Sequence, residues 1–317
     1  MDRPDPLIVI TGPTAVGKSK LSIRLAKEIG GEIISADSMQ VYRGMDIGTD
    51  KISREAMEGV EHFLIDELDP DEEFGVFVFS RTAKAHIEEI ERRGHIPILV
   101  GGTGFYINAV VYNTEFSDKP DHDDELRDRL LKEAETEGAD ALFERLKEAD
   151  PEYARVIHKN NVKKTVRALE YIELTGEKFS EYNERVRENA TPAYNTAFFV
   201  LDDDREVLGR KIDARVDSMF ERGLVDEVKA LRAKGYDRGL TSMEGLGYKE
   251  ILAYLDGECT LEEASDLIKR GTRLFAKRQR TWFKREKNAV MVDKRQFEDD
   301  NSILRFMMDV LKEKGII

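Results

Sequence analysis

Residues 7–19 read L-I-V-I-T-G-P-T-A-V-G-K-S, and the architecture of the chain follows from them. The first five form a short apolar run with β-branched side chains at its centre, which predicts a buried strand of a parallel sheet. Residues 12–19 match the pattern G-x-x-x-x-G-K-[ST], and L-S-I-R-L-A-K-E-I after them predicts a helix. A strand, this pattern and a helix in this order indicate a P-loop.

A P-loop binds phosphate groups largely through its backbone. Its glycines let successive N–H groups turn toward phosphate oxygens, and the next helix presents its N-terminus to the same anion. Lys18 adds a positive charge, and the Ser19 hydroxyl can coordinate Mg²⁺, the cofactor that we predict. The pattern does not distinguish ATP from other diphosphate compounds. The residues predicted to bind the diphosphate are Gly12, Pro13, Thr14, Ala15, Val16, Gly17, Lys18 and Ser19, and Ser19 is also the predicted metal ligand.

Strands and helices alternate along most of the chain. Further apolar runs end near Ala36, Ile65, Val100 and Leu201, and a weaker run covers residues 289–293. Apolar residues at helical spacing lie between these runs. The alternation predicts the α/β class, with a P-loop NTPase-like parallel sheet core flanked by helices.

One long segment breaks the alternation, because residues 117–189 contain no convincing strand. Helical patterns begin there near Leu126, Leu142 and Val162. We predict an all-helical insertion domain at residues 118–190, between a first part of the core at 1–117 and a second part at 191–317. The alternative is that these helices belong to a single domain with the rest of the chain.

The composition limits the class of protein. The chain has 317 residues, which suggests roughly two domains. It carries 50 Lys and Arg against 64 Asp and Glu, a net charge of −14, which argues against a wholly basic nucleic-acid coat but not against a local basic patch. The single Cys259 excludes an internal disulfide and a cysteine-rich zinc site. No apolar run is long enough to span a bilayer, so we expect a cytoplasmic protein without membrane contact.

Three polar residues follow predicted strands and are candidates for the site. Asp37 comes directly after the second strand, at the end of the sheet where ligands bind. Its carboxylate could hold Mg²⁺ through water, accept a proton from a nucleophile, or cap a helix. Thr103, in the turn V-G-G-T-G-F-Y, could cap the next helix or contact substrate. Arg215, on the helix after the strand ending at Leu201, is either a site cation or a solvated charge.

A concentrated positive charge lies near the C-terminal end. T-x-x-E at Thr260 and Glu263 predicts the start of a helix that continues to about Lys287. Nine Lys or Arg residues lie between 269 and 287, opposed in that stretch by Glu286 alone, and Phe275, Trp282 and Phe283 interleave with them. The aromatic residues could stack on bases or pack in the core. We predict that this helix contacts nucleic-acid phosphates.

Six motifs in order resemble the bacterial tRNA dimethylallyltransferase (IPP transferase) family. They are G-P-T-A-V-G-K-S, A-D-S-M-Q-V-Y, G-G-T-G-F-Y, N-N-V-K-K-T-V-R-A-L-E, G-L-G-Y-K-E and K-R-Q-R-T-W-F-K-R. The resemblance extends from about residue 7 to residue 287. Val16 stands where a small residue is common, and Lys163 and Lys164 replace arginine-type residues. The zinc finger of some eukaryotic relatives is absent.

The resemblance implies transfer of a dimethylallyl group from dimethylallyl diphosphate to N6 of the tRNA adenosine next to the 3′ side of the anticodon. It implies that Asp37 is the general base or hydrogen-bond acceptor for the adenine amine. It also implies that Thr103 and Arg215, the other predicted catalytic residues, hold the diphosphate or the reaction channel, as does Lys18. It also implies that the helical insertion grips the anticodon stem. The tRNA-contacting residues that it implies are Asp37, Ser38, Met39, Gln40, Thr103, Lys163, Lys164, Arg167, Gly247, Tyr248, Lys249, Lys277, Arg278, Gln279, Arg280, Trp282, Lys284 and Arg285.

Two other enzyme classes fit part of the sequence. A small-molecule P-loop kinase fits residues 12–19 equally well but leaves the basic helix unexplained. An adenylate prenyltransferase that acts on free nucleotide leaves both the helix and the insertion unexplained. A non-catalytic RNA-binding module would not need the P-loop. We therefore expect a monomeric tRNA prenyltransferase.

Overall fold

The fold is described from a computed structural model, which covers residues 4–113, 123–188 and 191–317. Two compact units make up the chain, one of Met1–Asn113 with Pro192–Ile317 and one of Thr114–Thr191. The boundaries predicted for the insertion, 118 and 190, lie outside the described residues, as does the start of its opening segment. None of the helices in the described ranges has the length and apolar character needed to cross a bilayer.

The first unit is built on a six-stranded sheet in which every pair is parallel, with the order β3-β2-β4-β1-β5-β6. This confirms the predicted α/β class. The P-loop strand lies inside the sheet, between β4 and β5, so the ends of three neighbouring strands surround the loop. The strands are β1 (Pro6–Thr11), β2 (Gly31–Ala36), β3 (His62–Phe63), β4 (Ile96–Gly101), β5 (Asn195–Asp202) and β6 (Ala289–Asp293).

Helices cover both faces of the sheet because its strands are apolar on both sides. Along β1, Leu7 and Val9 point into one core, and Ile8 and Ile10 into the other. A continuous apolar run is what such a doubly covered strand requires. The helices of this unit are α1 (Lys18–Ile29), α2 (Val76–Arg92), α3 (Gly104–Val111), α9 (Arg205–Glu221), α10 (Leu224–Ala233), α11 (Tyr248–Leu255), α12 (Leu261–Phe283) and α13 (Asp300–Glu313).

The second unit contains helices only, among the residues described. They are α4 (Asp124–Thr136), α5 (Ala139–Ala149), α6 (Pro151–Val156), α7 (Val162–Thr175) and α8 (Phe179–Glu188). Leu130, Leu142, Leu146 and Leu169 form the centre of its own hydrophobic core. The buried Asp150 caps α6 by accepting from the Tyr153 N–H at 3.0 Å, and it also accepts from Ser180.

The strand expected to end near Ile65 ends at Phe63, because Leu64 has φ +60° and so leaves the extended conformation. One predicted boundary is wrong. The basic helix ends at Phe283 rather than near Lys287, because the N–H groups of Arg285 and Glu286 bond three residues back instead of four.

Candidate active site

The P-loop connects β1 to α1 at the carboxyl end of the sheet. Gly12 has φ +139°, and a Cβ there would lie 2.3 Å from the Leu201 carbonyl oxygen, so only glycine fits. The Lys18 ammonium donates to the carbonyl oxygens of Gly12 at 3.0 Å and Pro13 at 2.9 Å. No side chain caps the N-terminus of α1, and the first turn contains no acidic residue. The helix end is therefore suited to bind an anion.

Lys18 titrates at unusually low pH for a lysine. Its pKa is lowered to about 8, chiefly by burial and also by the positive charge of Arg215, while the carboxylate of Asp37 acts in the opposite direction. Burial, Arg215 and Asp37 all act on Lys18 from the immediate surroundings of the P-loop. An anion bound there would favour the charged form of Lys18 and raise its pKa again.

An open cavity of about 250 Å³ adjoins the P-loop. The polar side chains in its lining include residues from the P-loop, the end of β2, the loop that follows it, and α9. Among them are Lys18, Ser19, Asp37, Gln40, Asp50 and Arg215. The sequence-predicted Ser19, Asp37 and Arg215 are thus brought together, as the position of ligands in open α/β sheets predicts.

Asp37 lies in a turn and not at the start of a helix. Its Oδ1 accepts from the Met39 N–H at 2.9 Å, and turns without a helix follow. The helix-capping alternative is therefore wrong. Gln40, three residues on, donates its side-chain amide to the Thr49 carbonyl at 3.3 Å. Asp37 is half-buried and lines the same cavity as Lys18, a position that leaves the metal and base roles open.

Thr103 lies just beyond the end of β4, and Asp37 lies just beyond the end of the neighbouring strand β2. Its N–H donates to the Ala36 carbonyl at 3.3 Å, and it precedes α3 without a capping hydrogen bond from its side chain. The residues before it pack too closely for any side chain, since a Cβ on Gly101 would lie 2.2 Å from the Ala36 oxygen. Thr103 itself does not line the cavity, but it is held at the same sheet edge as Asp37.

Arg215 reaches the P-loop from α9. Its Nη1 donates to Thr14 Oγ1 at 2.9 Å, and its Nε lies 3.2 Å from Asp50 Oδ2. The alternative of a simple solvated helix charge does not fit these contacts. Arg215 therefore lies where it can meet an anion held by the P-loop.

Gln279 lies between the basic helix and the P-loop. Its Oε1 accepts from the Thr14 N–H at 2.8 Å, and its Nε2 donates to the Gly102 carbonyl at 3.1 Å. The side chain is 5 % exposed, and a Cβ on Gly102 would lie 2.1 Å from its Nε2. The family resemblance implies a tRNA contact for Gln279, but its amide faces the P-loop and not the surface.

The positive charge of α12 is partly compensated by acidic residues outside the helix, which corrects the expectation of an unopposed face. Lys269 pairs with Asp217 and Arg273 with Asp213, both on α9. Arg280, another predicted tRNA contact, donates to Asp202 at 2.8 Å. The sequence did not reveal these pairs because their acidic members lie more than fifty residues away.

Four predicted tRNA contacts on or just after α12 remain exposed and have no carboxylate within ion-pair distance among the described residues. They are Lys277, Arg278, Lys284 and Arg285. Trp282 is 43 % exposed and packs against Gly104, where a Cβ would lie 2.2 Å from its ring nitrogen. Phe283 is buried in the core, and Phe275 lies beside the Arg278 guanidinium at 5.9 Å.

The other predicted tRNA residues fall into exposed and buried sets. In the first unit, Lys249 is exposed, whereas Gly247 and Tyr248 are buried, and the Tyr248 hydroxyl donates to Glu227 at 2.8 Å. Ser38 and Met39 are half-buried in the turn after Asp37. In the second unit, Lys163 and Lys164 are exposed in the first turn of α7, and Arg167 pairs with the buried Glu170 at 3.6 Å.

The loop at residues 44–52 makes contacts that no motif in the sequence predicts. The Glu227 carboxylate accepts from three successive backbone N–H groups of this loop, those of Asp46, Ile47 and Gly48, at 2.7 to 3.1 Å. Lys51 is 4 % exposed and binds Asp46 and the Tyr42 carbonyl. The sequence contains no local signal for these contacts, because Glu227 is on α10.

The parallel sheet with flanking helices and the G-x-x-x-x-G-K-S loop between β1 and α1 define an α/β protein with a P-loop-like fold. The chain belongs to the IPP transferase family, whose model matches residues 40–286. It is 57 % identical over 312 residues to a tRNA dimethylallyltransferase of Lachnoclostridium phytofermentans, covering 98 % of this chain and 99 % of that protein. It is 47 % identical over 311 residues to a tRNA dimethylallyltransferase of Clostridioides difficile, covering 97 % of this chain and 99 % of that protein.

Solved structures agree with this assignment. The tRNA isopentenylpyrophosphate transferase of Bacillus halodurans matches with a TM-score of 0.73 and 44 % identity, covering 98 % of both chains. A eukaryotic dimethylallyltransferase acting on tRNA matches with a TM-score of 0.81 and 32 % identity, covering 98 % of this chain and 80 % of that one.

Proposed function

We propose that this protein transfers a dimethylallyl group from dimethylallyl diphosphate to N6 of the tRNA adenosine adjacent to the 3′ side of the anticodon, forming N6-isopentenyladenosine. The observation that carries the proposal is the near full-length similarity to relatives named tRNA dimethylallyltransferase, at up to 57 % identity among those compared. The cavity supports it, because a phosphate-binding loop and the Asp37 carboxylate face the same space. Neither a kinase nor a free-nucleotide prenyltransferase is named among these relatives.

The leaving diphosphate would lie against the P-loop. When the bond between the allylic carbon and oxygen breaks, its electron pair stays on the diphosphate, so negative charge grows on the bridging oxygen. Lys18, Arg215 and the N-terminus of α1 surround that position and would stabilise the charge. Since these groups are already fixed by hydrogen bonds, little reorganisation is needed during the reaction.

Mg²⁺ fits the residues that are present. The described residues contain no cluster of three His, Cys, Asp or Glu side chains that could hold a metal alone. Mg²⁺ is usually held by one or two protein oxygens together with substrate phosphates. Ser19, exposed at the start of α1, and the diphosphate would hold the ion, and Asp37, in the same cavity lining, would bind one of its waters. When bound, it would neutralise part of the diphosphate charge.

Asp37 would accept the proton from the adenine amine. The N6 nitrogen forms the new bond to the allylic carbon, and one of its protons must leave during or after that step. The Asp37 carboxylate lines the cavity and is kept in place by the Met39 N–H. A carboxylate in this position can take the proton while diphosphate departs from the opposite side of the carbon.

The adenosine has to leave its stack to reach the cavity. Unstacking a base costs a few kcal/mol. Contacts along the anticodon stem-loop would offset this cost, and the exposed Lys277, Arg278, Lys284 and Arg285 are suited to bind its phosphates. We propose that the helical unit grips the anticodon stem through Lys163 and Lys164. Because tRNA is the proposed substrate, we propose a cytoplasmic location, and we propose that the protein acts as a monomer.

One incubation separates the candidate functions. The protein is mixed with dimethylallyl diphosphate and either undermodified tRNA or AMP, with and without Mg²⁺, and with ATP in a parallel reaction. We expect prenylated tRNA and released diphosphate only when Mg²⁺ is present, with no prenylated AMP and no ATP hydrolysis. Prenylation of AMP, or ATP-dependent phosphorylation without prenylated tRNA, would overturn the proposal.

A further inference from the structure

Asp50 is a second carboxylate in the cavity, and the reaction proposed above gives it no role. It lies in the loop after β2 and is half-buried, with its side chain part of the cavity lining. Its φ is +50°, a left-handed conformation that Asp and Asn adopt more readily than most residues. The loop is fixed by the Glu227 contacts to residues 46–48 and by the Asp50 N–H, which donates to the Ile47 carbonyl at 3.1 Å.

The two oxygens of Asp50 bind two different arginines. Oδ2 lies 3.2 Å from Arg215 Nε, and Oδ1 accepts from Arg222 Nη2 at 3.0 Å. The arginines are seven positions apart, Arg215 within α9 and Arg222 at its C-terminal end, so they lie on the same side of the helix. Asp50 therefore bridges the arginine that reaches the P-loop and a second arginine nearer the surface.

These contacts engage the Nε and Nη1 nitrogens of the Arg215 guanidinium. Arginine has five N–H donors. The Nε–H faces Asp50, and one Nη1–H goes to Thr14 Oγ1 at 2.9 Å. The remaining donors are left for an anion on the P-loop. Asp50 and Thr14 together thus fix the direction in which Arg215 presents those donors.

The same contact opposes anion binding. A diphosphate on the P-loop gains from the positive charge of Arg215 but is repelled by the negative charge of Asp50, which lines the same cavity. The repulsion applies equally to the diphosphate product. An enzyme that releases a highly charged product benefits from a fixed charge that limits product affinity.

We infer that Asp50 is a positioning residue that orients Arg215 and weakens the binding of diphosphate, so that the product leaves. The inference rests on the proposed function, since diphosphate is the leaving group of that reaction. It concerns one further residue of the same site. It predicts that removing the negative charge of Asp50 strengthens the binding of diphosphate.

The test uses the full-length protein, Mg²⁺ and inorganic pyrophosphate, without tRNA. The variant is Asp50→Asn, because Asn keeps an acceptor for Arg215 and tolerates the left-handed backbone. We expect its Kd for pyrophosphate, measured by titration calorimetry, to fall between about threefold and tenfold at low salt, and less at high salt. A partly unfolded variant could not bind more tightly, so a gain cannot come from structural damage.

Two further variants complete the test. Asp46→Asn removes the same charge from the same loop, but Asp46 pairs with Lys51 and does not line the cavity, so its Kd should stay within about twofold. In an Arg215→Gln background, Asp50→Asn should still strengthen binding, because the charge of Asp50 repels the diphosphate directly. Unchanged or weaker binding by Asp50→Asn, or loss of the gain in the Arg215→Gln background, would overturn the inference.

The role of Asp50 and the proposed reaction can be contradicted independently of each other. Failure of the wild-type protein to prenylate tRNA would contradict the reaction, whatever the pyrophosphate affinities are. Normal prenylation by the wild type together with unchanged pyrophosphate binding by Asp50→Asn would contradict only the role given to Asp50.

Discussion

Gln279 accepts a hydrogen bond from the backbone N–H of Thr14 at 2.8 Å, which joins two residues 265 positions apart in the sequence. Thr14 also receives the Arg215 side chain on its hydroxyl. The backbone N–H and the hydroxyl of this P-loop residue are therefore both bonded to side chains from the second part of the core. The shape of the loop depends on α12 as well as on its own glycines.

Replacing Gln279 by Ala should weaken diphosphate binding. The change leaves the Thr14 N–H and the Gly102 carbonyl without their partner in a buried place. Leaving such a group unpaired costs about 1–3 kcal/mol. The share of this cost that destabilises the binding conformation of the P-loop should raise the Kd for pyrophosphate about tenfold. The measurement is titration without tRNA, with Arg278→Gln, an exposed neighbour, as the control. Equal affinities of the two variants would show that the loop keeps its shape without Gln279.

Asp37→Asn tests the proton acceptor without disturbing the turn. The Asn side-chain oxygen can still accept from the Met39 N–H, but the amide cannot take a proton from adenine. We expect prenyl transfer to fall about 10²-fold or more. Pyrophosphate and tRNA affinity, measured separately at about pH 7, should not fall, since the variant removes no cation and no phosphate-binding donor. A decrease of less than about tenfold would assign Asp37 to water-mediated metal binding instead.

The depressed pKa of Lys18 predicts that pyrophosphate binding weakens in mild alkali. Below about pH 8 the ammonium is already charged, so binding needs no proton. Above that pKa the free protein has released the proton, and binding must take it up again, so the Kd should rise by up to about tenfold per pH unit.

The control for this prediction is Lys18→Gln, which lacks the titrating group. The titration of pyrophosphate itself affects both proteins equally, so the difference between their curves reports Lys18. Curves that stay parallel from about pH 7 to about pH 9.5 would contradict the lowered pKa.

The exposed cations at the end of the basic helix should control the salt dependence of tRNA binding. Arg280 is excluded because it pairs with Asp202. The variant replaces Lys277, Lys284 and Arg285 by Gln. Removing one phosphate-binding cation should lower the slope of log K against log salt by about one unit or slightly less, so we expect a change of about two to three units. Pyrophosphate affinity should not change, because the P-loop is a separate site.

The matched control for the basic helix replaces three exposed lysines elsewhere, Lys234, Lys312 and Lys314, which changes the net charge by the same amount. Circular dichroism verifies that both variants keep their helices. A slope that changes equally in the two variants would mean that tRNA responds to the overall charge and not to this helix.

The main features of the fold could be predicted because they are local. The P-loop pattern, the apolar run of β1 and the periodicity of α9 each lie within a short stretch of the sequence. Helix α6 was not predicted, although Asp150 followed by Pro151 is a good helix start, because its six residues are too few to show a period. Strand β3 ends at Phe63 because Leu64 is left-handed, which nothing in the sequence marks.

The residues of the candidate site also fall into two groups, those that a local motif marks and those that only folding brings together. Ser19 and Asp37 are recognisable because each follows a predicted strand within a motif. Asp50 and Glu227 are not, since their partners are contributed by other elements and come close only when the chain is folded. Gln279 belongs to a motif that the sequence shows, but its position within a basic run suggests RNA and hides its contact with the P-loop.

The place where the chain leaves the first unit and the place where it returns are joined by a hydrogen bond, from the Ala193 N–H to the Val111 carbonyl at 2.8 Å. The helical unit is therefore inserted between two points of the first unit that lie side by side, as the ends of a short loop do. Loop-closure entropy grows only with the logarithm of length, so a long excursion costs the core little more than a short one. Such a junction tolerates exchange: over evolutionary time, this sheet could acquire, lose or replace the excursion while its phosphate site stayed intact.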